Sequence, residues 1–116
     1  MDFTVLMSVY GKDDVSDFKI ALESVTVNQT MKPKQVVIVQ DGVVPVKIDD
    51  IIFNFEKQTP EIEYSVVKKE TNQCLAAALN SGLAICKYDW VARMDSDDIS
   101  VEDRFEKQIA FIKKKR

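Results

Sequence analysis

Trp90-Val91-Ala92-Arg93-Met94-Asp95-Ser96-Asp97-Asp98 begins as the apolar run of a buried strand and ends in three carboxylates within four residues. Like charges placed together repel and lose hydration on burial. A folded chain keeps such a group where water, a cation or hydrogen-bond donors offset the cost. Mg²⁺ and Mn²⁺ are hard cations that take carboxylate oxygens, and Mg²⁺ is usually held by one or two carboxylates plus substrate phosphates. The run therefore points to a metal joining the protein to a phosphorylated ligand. The plain alternative is a solvated strand end leading into a helix, where the helix dipole favours acidic residues. An EF-hand loop from Asp95 does not fit, because Ile99 and Ser100 stand where it needs an oxygen ligand and a glycine.

Working outward from this strand, apolar runs alternate with helical periods. Phe3 to Tyr10 reads as a strand buried on both faces and stopped by Gly11. Asp14 caps a helix whose apolar positions are Val15, Phe18, Leu22 and Val25, and Asn28 to Lys34 is the loop after it. A second buried strand, Gln35 to Val39, stops at Asp41-Gly42 and completes a βαβ unit. Ile48 to Gln58 reads as a helix ended by Thr59-Pro60, and Ile62 to Val67 as a third strand. Leu75, Leu79, Leu83 and Cys86 form one face of an alanine-rich helix from about Gln73. After the fourth strand, Ser100 and Asp103 resemble a capping box before a last helix with Phe105, Ile109 and Ile112 inward.

The fold expected is α/β: an open, mainly parallel sheet of about four strands flanked by helices, Rossmann-like. Ligands bind such sheets at the carboxyl ends of the strands. Ser8 and Tyr10, Asp41, Lys68 and Lys69, and Asp95 to Asp98 all follow strands and are expected on one rim. No glycine-rich phosphate loop is present, so a metal on the acidic cluster is the remaining means of holding a diphosphate.

Composition sets the outer bounds. With 116 residues, 46% of them hydrophobic and 30% charged, the chain is sized for one domain with a core. A formal net charge of −3 implies no general affinity for nucleic acid. The absence of histidine excludes zinc-finger patterns, Ser/His/Asp triads and histidine bases. Cys74 and Cys86 read as small core fillers in a reducing compartment. No signal peptide is visible, which makes the cytoplasm the default location. The basic run Lys113 to Arg116 is a solvated helix end, with contact to anionic lipid as its second reading.

These segments resemble the nucleotide-sugar-binding half of a family 2 glycosyltransferase of the GT-A fold, similar to bacterial enzymes of capsular and lipopolysaccharide synthesis. The matching stretches are Val5 to Tyr10, Leu22 to Val25 with Asn28-Gln29-Thr30, Val37 to Gly42, Asn72 with Leu75 to Leu83, and Ala92 to Ser100. The resemblance implies a donor-binding domain over residues 1–116 and transfer of a sugar from a UDP-sugar to a glycan or lipid-linked acceptor. That transfer would be inverting and would use Mn²⁺ or Mg²⁺. It also implies that Ser8, Val9 and Tyr10 line the nucleoside pocket, that Asp41 accepts from uracil or ribose, and that Asn72 closes over the base. Asp95-Ser96-Asp97 matches the Asp-x-Asp motif, with Asp97 the favoured metal ligand and Asp95 and Asp98 supporting it or the ribose.

Gln40 stands where the family often has aspartate, and Cys74 where it usually has glycine. No residue here suits the general base, which the resemblance places beyond Arg116, in an acceptor half. The 116 residues alone are accordingly expected to be inactive. Peripheral contact with the inner face of the membrane is expected only of the longer protein. Apolar Phe105, Ile109, Phe111 and Ile112 exceed what one helix face can hide, so self-association is expected. The rival readings are a non-catalytic nucleotide-binding module and a nucleotidyltransferase; the latter normally shows a glycine-rich, arginine-containing loop where Gly11-Lys12-Asp13-Asp14 stands.

Overall fold

A computed structural model of the chain describes residues 2–115; Arg116, the last of the basic run, lies outside them. The elements alternate as expected: β1 (Thr4–Val9), α1 (Val15–Val25), β2 (Gln35–Gln40), α2 (Val46–Gln58), β3 (Glu63–Lys68), α3 (Leu75–Leu83), β4 (Val91–Asp95) and α4 (Arg104–Lys115). The strands form one sheet in the order β3-β2-β1-β4, every pair parallel.

The two central strands carry apolar residues on both faces because both faces are covered. Val5, Met7, Val36, Ile38, Ala92 and Met94 face α1, α2 and α4, with Phe18, Leu22, Ile48, Ile52, Phe55 and Phe105 packed onto them. Leu6, Val37 and Val39 face the other way, toward Ala78 of α3. Asp14 caps α1 by accepting from the Asp17 amide at 3.0 Å, as its position foretold.

Three local expectations give way to tertiary packing. The stripe of α3 that meets the sheet is Ala78 and Gly82, both buried, while Leu75 and Leu83 stay about half exposed at 48% and 49%. A Cβ on Gly82 would strike the Leu6 side chain and come within 2.8 Å of Val39, so small residues let this helix lie close against the strands. Ser100 is not a cap, since α4 begins only at Arg104; its amide donates instead to Ser24 Oγ at 3.0 Å. The apolar face of α4 is largely hidden: Phe105 and Ile109 are buried, and only Phe111 stays open, at 62%. Phe105 packs against Phe3 and Trp90, with ring centroids 4.8 and 6.3 Å away, which removes most of the surface expected to drive self-association.

Candidate functional site

A cleft of about 420 Å³ opens at the carboxyl ends of β1, β2 and β4. Of the residues expected there, Ser8, Val9, Tyr10, Asp41, Asn72, Asp95 and Asp97 line it; Asp13, Cys74, Leu75 and Ser96 join them. The parallel register accounts for the convergence. Ser8 at the end of β1 lies beside Val39 of β2 on one side and Asp95 of β4 on the other.

Lys68 and Lys69 lie on the rim at the carboxyl end of β3, as expected, but outside the cleft lining. Lys68 pairs with Asp49 of α2 at 3.3 Å, and Lys69 donates to Ser81 Oγ of α3 at 2.8 Å. Edge strand β3 ends next to those helices, and each ammonium takes the nearest oxygen. Asp98 lies outside the cleft lining. Its carboxyl is held above its ordinary range by desolvation first, then by the charges of Asp95 and Asp97 and a hydrogen bond with Asp95, with Arg104 opposing.

The acidic segment is a tight turn. The Asp98 amide donates to the Asp95 carbonyl at 3.2 Å, which leaves Ser96 and Asp97 at its tip. Ser96 is 9% exposed and donates through Oγ to Asp13 Oδ2 at 2.8 Å, and the Tyr10 amide donates to the same oxygen at 3.0 Å.

Behind the turn, Gln29 is 2% exposed and saturated. Its Nε2 donates to the carbonyls of Ser24 (2.8 Å) and Val101 (2.6 Å), and its Oε1 accepts from the Phe105 amide at 3.3 Å. Arg104 donates to Ser100 Oγ at 2.9 Å and to the Arg93 carbonyl at 3.1 Å. Burial lowers the guanidinium from its ordinary range, and the charge of Asp98 works against that shift.

The opposite wall is held differently. Asp41, 6% exposed, accepts through Oδ1 from the Gln73 amide at 3.0 Å. Gly42 follows with φ +91°, and a Cβ there would come within 2.8 Å of the Asn72 amide nitrogen, so glycine is required by both conformation and space. Asp41 thus fastens the segment that carries Asn72, a task not foreseen from its position. Cys74 is exposed rather than a core filler. Its φ of 171° is extended backbone that any residue adopts, so this departure from glycine carries no strain, and its Sγ accepts from the Ala77 amide at 3.4 Å to cap α3. Gln40 is engaged away from the cleft, donating to Asp49 Oδ1 at 2.7 Å.

Among the described residues no group of three or more Asp, Glu or Cys side chains gathers into a metal-holding set. Asp95 and Asp97, both exposed and both lining the cleft, supply two hard oxygen donors on one side. That is the donor set expected for Mg²⁺ or Mn²⁺ completed by phosphate oxygens, and the residues present fit such an ion. Reading the sequence alone missed Asp13, Ser24 and Gln29 as residues that shape this site. Only Asp13 carried a local signal, a carboxylate closing a short turn on Tyr10; the contacts by which the other two reach the site, Ser24 with Ser100 and Gln29 with Val101 and Phe105, lie on distant segments.

A family model described as Glycosyl transferase family 2 matches residues 4–116. The chain is similar to an uncharacterised glycosyltransferase of Haemophilus influenzae, 46% identical over 112 residues, which are 97% of this chain and 40% of that protein. It is also similar to a UDP-Gal:alpha-D-GlcNAc-diphosphoundecaprenol beta-1,3-galactosyltransferase of Escherichia coli, 38% identical over 97% of this chain and 39% of that protein. The chain therefore spans about two-fifths of the length of these relatives. Among solved structures, the mannosyltransferase PcManGT from Pyrobaculum calidifontis, in complex with GDP-Man and Mn²⁺, superposes with a TM-score of 0.70. The match covers 84% of this chain and 28% of that one; at 19% identity it establishes the fold.

Proposed function

The chain belongs to glycosyl transferase family 2, and from that premise we propose that its cleft binds a UDP-sugar as the donor-binding part of a metal-dependent, inverting glycosyltransferase. The acceptor in this reading is a glycan or a lipid-linked sugar of bacterial surface polysaccharide synthesis, as the name of the Escherichia coli relative suggests. The observation that carries it is the meeting of Tyr10, Asp41 and Asn72 with Asp95 and Asp97 in one cleft. Acceptors suited to a nucleoside lie on one side of that cleft and paired carboxylates suited to a cation on the other.

Ser8, Val9 and Tyr10 form the floor and side of the nucleoside pocket. Asp41 Oδ2, which has no protein partner among the described residues, accepts from uracil or ribose while Oδ1 keeps Gln73 and Asn72 in place. Asp97, with Asp95, would hold Mn²⁺ or Mg²⁺, and Asp98 supports Asp95 from behind. When bound, the ion supplies Lewis-acid stabilisation of the departing diphosphate. An inverting transfer also needs a base on the face away from that diphosphate. Asp13, Asp41, Asp95 and Asp97 have other tasks, and we place the base in the acceptor half of a longer protein, leaving residues 1–116 inactive alone. Two free cysteines suit a reducing cytoplasm, with lipid-linked acceptors met at the inner face of the membrane.

Calorimetric titration with UDP tests this reading. Affinity should be appreciable with Mn²⁺ or Mg²⁺ and fall at least roughly tenfold with chelator, because bare phosphates would face the carboxylates. Asp97→Asn should reproduce the chelator's effect. Equal affinity with and without metal would overturn the metal role, and no binding under either condition would overturn the nucleotide reading.

A further inference from the structure

Asp13 binds two loops with one oxygen. Its Oδ2 accepts from the Tyr10 amide at 3.0 Å, within the loop after β1, and from Ser96 Oγ at 2.8 Å, at the tip of the acidic turn after β4. Its amide also donates to the Tyr10 carbonyl at 3.0 Å, so the Asp13 backbone is tied into that same loop. Ser96 sits between Asp95 and Asp97 in a turn whose backbone is closed by a single bond at 3.2 Å. A turn so closed can still rock about its ends. Fixing the side chain at its tip sets the direction of the next residue, Asp97.

We infer that Asp13 is a positioning residue, a strut that holds the acidic turn at a fixed distance from the nucleoside loop and so aims Asp97 across the cleft. The inference rests on the nucleotide reading above and adds to it a residue outside the Asp-x-Asp motif. The role needs an acceptor and not a charge, since an amide oxygen has two lone pairs and can take both donors.

The test compares wild type with Ser96→Ala, Asp13→Ala and Asp13→Asn, titrating each with Mn²⁺·UDP by calorimetry and with uridine by ligand-observed NMR. Ser96→Ala should lose roughly tenfold in affinity for Mn²⁺·UDP and keep its affinity for uridine, because only the acidic turn is released. Asp13→Ala should weaken on both, and Asp13→Asn should stay within about threefold of wild type on both. The strut is refuted if Ser96→Ala binds Mn²⁺·UDP as wild type does. It is refuted equally if Asp13→Asn is as weak as Asp13→Ala, which would make Asp13 a charged ligand.

If wild type binds no UDP at all, the nucleotide reading fails and the strut is judged on the unliganded protein. Hydrogen exchange of the Asp98 amide should then be faster in Ser96→Ala and Asp13→Ala than in wild type and Asp13→Asn. Equal rates in all four would refute the strut by itself.

Discussion

The two ends of the sheet are both polar, and they use their polar groups in opposite ways. At the amino ends, Gln35 is fully buried and closed. Its Oε1 accepts from Thr4 Oγ1 at 2.8 Å and the Lys87 amide at 2.9 Å, and its Nε2 donates to Ser65 Oγ at 3.3 Å and the Ile85 carbonyl at 3.1 Å. That cluster joins β1, β2, β3 and the loop before β4, and asks nothing of a ligand. At the carboxyl ends, Asp41 has one oxygen engaged by the protein, Asp13 likewise, and Asp97 has no hydrogen-bond partner among the described residues. Saturated polar groups stabilise the sheet, and the open valences at the other end are what a ligand can use.

The contrast breaks most visibly at Gln35. Replacing it with Ala strands several buried donors and acceptors and should lower unfolding stability by about 2–4 kcal/mol, read by urea titration. The protein that remains folded should bind Mn²⁺·UDP as before. Loss of binding without loss of stability would mean that the two ends are not separate in function.

Asp41→Ala is the counterpart at the other end. It should weaken UDP at least tenfold, for the loss of a charge-assisted contact worth roughly 1.5–3 kcal/mol. Its effect on stability should be smaller, because only the bond to the Gln73 amide is lost inside the protein. An unchanged affinity would reduce this strand end to a turn.

The smallest expected effect sharpens the comparison by chemistry. Cys74 is exposed at the cleft, whereas Cys86 is half-buried, burial raises its thiol above the ordinary range, and its Sγ donates to the Gly82 carbonyl at 3.4 Å. Only the thiolate alkylates, so a raised value leaves less of the reactive form at any given pH. Iodoacetamide should modify Cys74 first, and Mn²⁺·UDP should slow that reaction while leaving Cys86 unchanged. Equal protection of both would place the ligand elsewhere.

What was legible in the sequence followed from local rules. Continuous apolar runs such as Val36 to Val39 give buried strands, the Asp14 cap starts a helix, and the residues just past each strand fall at one end of a parallel sheet. From this the fold and most of the cleft were readable. That Lys68 and Lys69, on the rim as expected, stay out of the cleft and that Ser100 is no cap was not legible, because each answers to a partner on another element: Asp49, Ser81 and Ser24 respectively. The stripe of α3 was misread because periodicity marks leucine as the buried face. Close approach to Leu6 and Val39 selects Ala78 and Gly82 instead.

The strand order has a kinetic consequence. β1 pairs with β2 through Thr4 and Gln35, but with β4 through Thr4 and Val91, a much longer stretch of chain. Closing the longer loop costs about 1 kcal/mol more in chain entropy, and long-range pairing of this kind slows folding. The β4 edge, with the acidic turn at its tip, is thus joined to the sheet by its longest-range pairing. In the reading proposed above, the carboxylates that would hold the ion are therefore brought beside Ser8 by the strand pairing that costs the chain most to close.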